Sequence, residues 1–180
     1  MIPENQEEPR HPHELPHYAF VERAMAVHES ALIRYATTLL NDSELARDVV
    51  QDTFLKLCKQ RESAVRPRLK AWLFKVCRNR AYDHLRKAKR TERLDEIKWA
   101  KFSAENAAPD ESALQQERFE RAMRMLERLP RNQRDVIILK LQQGLSYKEI
   151  RQVTGLSEGN IGFLLHTGLK RLRGLLDDAS

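Results

Sequence analysis

The run from Leu129-Pro130 to Leu176 constrains the fold most, because it holds two helix-start signals on either side of a tight turn. Gly144 offers a position that tolerates positive φ at the end of one helix. Ser146-Tyr147-Lys148-Glu149 then has the form of a capping box, in which the serine hydroxyl accepts the Glu149 amide and the glutamate reaches back to the cap. A short helix through Val153 follows, and Thr154-Gly155-Leu156 makes the turn. Ser157 caps a second helix whose Ile161, Leu165, Leu169, Leu172 and Leu176 are expected to point inward. The spacing from Ile150 to Gly155 to Ile161 is that of a helix-turn-helix, which presents the N-terminus of its second helix to the major groove. Ser157, Glu158, Gly159 and Asn160 would lie nearest the bases, with His166, Lys170, Arg171 and Arg173 nearer the backbone. An ordinary αα-hairpin meets the same local requirements, so the motif alone leaves both open. Upstream, Leu114, Phe119, Ala122, Met123, Leu126 and Leu129 mark a helix stopped by Pro130. Another begins near Asn132, with Val136, Ile137, Leu139 and Leu141 apolar.

The rest of the chain reads as helix too. No long Val/Ile/Thr/aromatic alternation occurs, while Leu, Ala, Arg, Lys and Glu abound, so the fold class expected is all-α. With 180 residues, 41% of them hydrophobic, the chain can build two small cores. Composition divides it into a disordered tail at 1–17, a helical domain at 18–90, a linker at 91–111 and a second helical domain at 112–180. The tail carries four prolines and three histidines (His11, His13, His17) without fixed geometry, so no metal is expected there. The linker lacks a consistent period, although Trp99 and Phe102 are candidates to dock on a domain, and it leaves the relative placement of the domains free. No apolar run is long enough to span a bilayer and the N-terminus lacks a signal-peptide pattern, which points to the cytoplasm. Cys58 and Cys77 sit in apolar helical patterns, so buried free thiols are expected rather than a disulfide or zinc site.

The helix opening at Ser43 carries two stripes. Leu45, Val49, Val50, Phe54, Leu57 and Cys58 form the one expected to pack inward. Asp48, Gln51, Asp52, Leu55 and Lys59 form the other, combining carboxylates, an amide and an unburied leucine. Such a stripe is either a partner's docking face or a solvated surface with one stray leucine.

The next helix, from Pro67 at its first turn to Lys89, has one apolar side of Leu69, Trp72, Leu73, Val76, Cys77, Ala81 and Leu85. Its other side bears Lys75, Arg78, Asn79, Tyr82, Arg86 and Lys89. Cations there would neutralise phosphates, Asn79 could bond a base edge and Tyr82 could stack on an unpaired base. A merely solubilising face would intersperse carboxylates, yet only Asp83 interrupts the charges between Arg66 and Arg90. Melted or single-stranded nucleic acid suits this face. It also gives the net charge of +6 a location.

Three motifs in order resemble an extracytoplasmic-function bacterial sigma factor: Val49 to Leu55, Ala71 to Arg86, and Leu129-Pro130 with Gly144 to Ile150. The likeness runs from about Tyr18 to Leu176 and implies a first domain similar to sigma region two and a second similar to region four. It implies core RNA polymerase, through its β′ and β subunits, and promoter DNA as partners, with an anti-sigma factor as regulator and no cofactor. By resemblance, Asp48, Gln51 and Asp52 match the face that binds the β′ coiled coil, and the adjoining Leu55 shares that stripe. The loop from Glu62 to Arg66 and Asn79 match the reader of a base flipped from the minus-ten element, with Lys75, Arg78 and Arg86 near the melted strand. Ser157 to Asn160 and the basic residues after them match the minus-thirty-five reader. The recognition helix departs from the family pattern at Asn160 to His166, where Gly162 should loosen it by about 0.5–1 kcal/mol relative to alanine; Arg151 stands where a small residue is frequent.

Read from residues alone, a dimeric helix-turn-helix regulator of duplex operators is the alternative, with the first domain sensing or dimerising. A helical enzyme finds no support, since no catalytic constellation or metal-ligand spacing occurs. Gly155-Leu156-Ser157-Glu158-Gly159 matches the G-x-S-x-G form but has no preceding strand to build a nucleophile elbow.

Overall fold

The computed structural model describes residues 15–92, 121 and 124–177. Expectations for Trp99, Phe102, Leu114, Phe119, Ala122 and Met123, and for the tail through residue 14, lie outside that range. Helices α1 (Leu15–Leu40), α2 (Ser43–Cys58), α3 (Glu62–Val65) and α4 (Leu69–Glu92) build the first domain, with a 3-10 turn over Arg66–Arg68. The second domain has a helical stretch at 124–127, then α5 (Arg131–Ile137), a π-helical turn (Ile138–Gln142), α6 (Tyr147–Thr154) and α7 (Glu158–Asp177). No strand occurs among the described residues.

Local chemistry sets the breaks. Asn41 takes a left-handed conformation at φ 55° and returns its amide to the Thr37 carbonyl at 2.8 Å, closing α1. The next residue, Asp42, caps α2 by accepting from the Glu44 and Leu45 amides, each at 2.9 Å. α1 begins at Leu15, so the last three residues of the expected tail are helical, and the His17 ring bonds the Cys58 carbonyl at 2.9 Å. The expected loop at Glu62 to Arg66 is also helical, pinned by buried Val65. Pro67 falls in the 3-10 turn rather than at the first turn of α4.

α1, α2 and α4 pack mutually around Leu32, Tyr35, Val49, Leu57, Leu73 and Phe74, all with essentially no exposure. Each such side chain contributes about 1.5–3 kcal/mol on burial. Tyr35 meets the Phe74 ring edge-on at 5.3 Å. Cys77 is buried as expected, and burial pushes its thiol up to about 12. Cys58 is exposed, contrary to its place in the apolar pattern: the buried arc of α2 turns instead toward Thr53, whose hydroxyl donates to the Val49 carbonyl at 2.8 Å.

In the second domain α5, α6 and α7 close around Val136, Leu139, Leu145, Ile150 and Ile161. The π turn carries the Gln143 amide back to the Ile138 carbonyl at 3.0 Å. That wider turn shifts the apolar phase and leaves Leu141 exposed. On α7 the buried stripe runs through Ile161, Leu165 and Gly168 with Leu172 partly covered, so Leu169 is displaced to the flank and exposed, against expectation. A Cβ at Gly168 would stand 2.7 Å from Ile137 Cδ1 and 3.3 Å from Gln133 Cβ, which is how closely α7 crosses α5.

The helix-turn-helix has the expected caps. Ser146 and Glu149 form the reciprocal box, and Gly155 turns the chain at φ 77°. The Asn160 amide reaches Ser157 Oγ at 3.3 Å. Loss of the cap in Ser146→Ala should cost about 0.5–2 kcal/mol, and Gly155→Ala, forced into a left-handed conformation, about 1–2 kcal/mol. Denaturant midpoints of the purified variants at unchanged slope measure both.

Candidate nucleic-acid and polymerase interfaces

On α2, packing of the apolar stripe against α1 and α4 turns the second stripe outward. Asp48 and Gln51 are exposed, and Leu55 keeps 54% of its surface in solvent. Asp52 lies on the same face but is half-covered, its carboxylate held by Arg80 of α4 at 2.9 Å. The four residues form one continuous strip: a free carboxylate, an amide, a tethered carboxylate and an exposed leucine. Such a strip offers a basic helical partner both charge and apolar contact.

The basic face of α4 divides into two lanes. Lys75, Asn79 and Arg86 stand outward, Arg86 pairing with Asp83 one turn back. Arg78 and Tyr82 turn toward the second domain, where the wholly buried Asp135 of α5 receives Arg78 Nε and, at 3.4 Å, the Tyr82 hydroxyl. From α1, the buried Tyr35 hydroxyl donates to the same carboxylate at 2.5 Å. The Arg78 guanidinium also covers the Tyr82 ring at 4.6 Å. Burial pushes the Tyr82 hydroxyl up to about 12, with the Asp135 charge adding to it, and raises Tyr35 well above its ordinary value for the same reasons. Burial would lower the Arg78 pKa, but the charge and hydrogen bond of Asp135 outweigh it and raise it.

A second tie crosses the seam: Lys70 Nζ, at the start of α4, donates to the Gln143 carbonyl at 2.8 Å, where the π turn ends. α4 packs along α6 at the same seam. The sequence leaves the relative placement of the two domains open; in the structure they meet through a continuous apolar cluster and these polar bonds. Neither Asp135 nor Tyr35 stood out in the sequence. The signal was an aspartate beside Val136-Ile137-Ile138-Leu139, where burial demands a donor from elsewhere.

The recognition helix α7 exposes Ser157, Glu158, Gly159, Asn160, His166, Lys170 and Arg171. Arg171 also reaches Gln133 Oε1 at 3.4 Å, so it leans back toward α5. Phe163 stands in the middle of this face, 64% exposed, one turn beyond Gly159 and one turn before His166. A large apolar side chain there is the residue that the inward-facing pattern could not flag. Gly162 faces Tyr147 of α6, but a Cβ would sit at an ordinary 3.8 Å, so space does not require the glycine.

Among the described residues, no group of three or more His, Cys, Asp or Glu is placed to hold a metal ion, and no helix is long and apolar enough to cross a membrane. Residues 25–91 match the family model of sigma-70 region 2, and residues 119–172 match that of sigma-70 region 4. The chain is 30% identical over 143 residues to the ECF RNA polymerase sigma factor SigM of Bacillus subtilis, covering 79% of this chain and 86% of that protein. It is 32% identical over 154 residues to SigL of Mycobacterium tuberculosis, covering 84% and 85%. Among solved structures, the sigma factor RpoE of Bartonella quintana, in complex with the anti-sigma factor NepR, is similar at TM-score 0.64 and 27% identity, over 87% of this chain and 96% of that one. CnrH, in complex with the cytosolic domain of CnrY, shares the fold at TM-score 0.62 and 24% identity, over 91% of each chain. With regions two and four matched in order, the dimeric operator-binding regulator gives way, and the chain belongs to the extracytoplasmic-function family of RNA polymerase sigma factors.

Proposed function

We propose that this sigma factor binds core RNA polymerase through the outward strip of α2 and directs it to two-part promoters. Its role is regulatory and non-enzymatic. The observation that carries the docking role is the strip Asp48, Gln51, Asp52 and Leu55: packing of α2 exposes it, and one of its carboxylates is already oriented by Arg80. Its charge suits the basic side of a helical coiled coil, which together with the family resemblance favours the β′ subunit as its partner, with region four left to meet the β subunit. The outer lane of α4, Lys75, Asn79 and Arg86, joined by Arg78 and Tyr82, contacts the melted minus-ten strand. There cations follow phosphates and the tyrosine ring offers a stacking platform.

On α7, Ser157 to Asn160 face the minus-thirty-five bases and His166, Lys170 and Arg171 the backbone. Phe163 adds an apolar contact of the kind that reads thymine methyl groups in the major groove. An anti-sigma factor as regulator is supported by the similarity to the sigma factor RpoE solved with the anti-sigma factor NepR. Action on polymerase fits a cytoplasmic protein, with domains at 18–90, which α1 and α4 extend to 15–92, and at 112–180.

Run-off transcription with purified core polymerase on a promoter library tests the whole reading. Transcripts that start at a shared two-part sequence are expected, and a pattern equal to core enzyme alone would refute it. Asp48→Arg, on an exposed position, should abolish core binding in gel filtration while leaving the unfolding free energy within about 0.5 kcal/mol of wild type. Lys75→Ala combined with Asn79→Ala should reduce permanganate-detected strand opening and leave core binding intact. Phe163→Ser should relax selection at a thymine of the minus-thirty-five element, costing about 1–3 kcal/mol of discrimination in binding by the holoenzyme.

A further inference from the structure

Arg78 and Tyr82 face a melted strand in the function proposed above, yet here both side chains are bonded to Asp135, and Arg78 stacks on Tyr82 beneath it. We infer that Asp135 is an autoinhibitory latch: its carboxylate occupies on the strand-reading face of α4 the place that a promoter phosphate takes when the factor is at work. This inference rests on the reading of Arg78 and Tyr82 as strand contacts.

Three observations carry it. The first is chemical: a guanidinium and a phenol hydroxyl that donate to a carboxylate present the donors a phosphate oxygen would use. The second is burial, because Asp135 has no exposed surface and its third donor, Tyr35, comes from α1. The carboxylate therefore belongs to the seam between the domains rather than to solvent. The third is reach. Elements named for positions ten and thirty-five are separated by about 85 Å of duplex at roughly 3.4 Å per base pair. A compact chain of this length has a radius of gyration of about 16 Å. The closed arrangement, with α4 packed on α6 and Lys70 bonded to the Gln143 carbonyl, is too small to read both elements at once. Opening must break the Asp135 contacts, and it frees the very groups that the strand then uses.

The test uses the full chain, labelled for energy transfer at the exposed Cys58 and at Lys148→Cys on α6, with Cys77 protected by burial. A fluorescent pool of short random DNA single strands serves as the binding probe. Asp135→Asn should lower energy transfer and tighten strand binding by at least about tenfold, the least expected from releasing one charge-assisted hydrogen bond. Tyr35→Phe, which touches none of the strand-reading groups, should shift both readouts in the same direction by less, and it carries the test if Asp135→Asn fails to fold. Unchanged energy transfer in the folded variants overturns the latch whatever α4 reads. Opening without tighter strand binding overturns the competition, and Arg78→Ala in the holoenzyme then locates the failure. Undiminished transcription would place it in the strand-reading role, and reduced transcription in the latch.

Discussion

A carboxylate removed from water must be met by donors, and for Asp135 those donors come from two helices of the other domain. Tyr35 of α1 and Arg78 and Tyr82 of α4 converge on it. The desolvation of such a group offsets most of its Coulombic gain, so its net contribution to stability is small. What it supplies is registration: any displacement of α5 along the seam would leave a buried charge without partners, which costs about 3–5 kcal/mol. Apolar packing brings the domains together, and the carboxylate selects one arrangement among those that packing alone would allow.

Registration at the seam gives the three proposed contact surfaces different accessibility. The α2 strip lies outside the seam and is presented to solvent, as is the N-terminal face of α7. The face of α4 proposed to read the strand is half outside and half inside, with Lys75 and Asn79 exposed while Arg78 and Tyr82 are engaged. A partner that docks on α2 therefore finds its surface ready, whereas a melted strand finds only one lane of its own.

Features governed by neighbours within a few residues were legible in the sequence. The capping box at Ser146, the left-handed Gly144 and Gly155 and the break at Asn41 follow from donors, acceptors and sterics inside one turn. Apolar periodicity likewise placed Val49, Val50, Phe54, Leu73 and Ile161 in the core. It failed where the burial arc is set by what the helix leans on. Thr53 is inside and Cys58 outside because α2 rotates toward α1 and α4; Gly168 displaces Leu169 because α7 must approach α5 closely; and the π turn resets the phase before Leu141. Phe163 lies in the stretch where the sequence departs from the family pattern, but its outward direction was not legible, because periodicity marks apolar residues that point in.

By itself the sequence determined the helical class, the two-domain division, the local caps and the residue types on each functional face, since these depend on short-range sterics, hydrogen bonding and period. Only the tertiary structure decided which of those faces are free. Asp135 and Tyr35 stand a hundred residues apart, and no local rule couples them. Their contact follows from mutual exclusion of water where α1 and α4 meet α5 and α6, and it turns Arg78 and Tyr82 from a solvent-facing cation and aromatic into the inner lining of an interdomain seam.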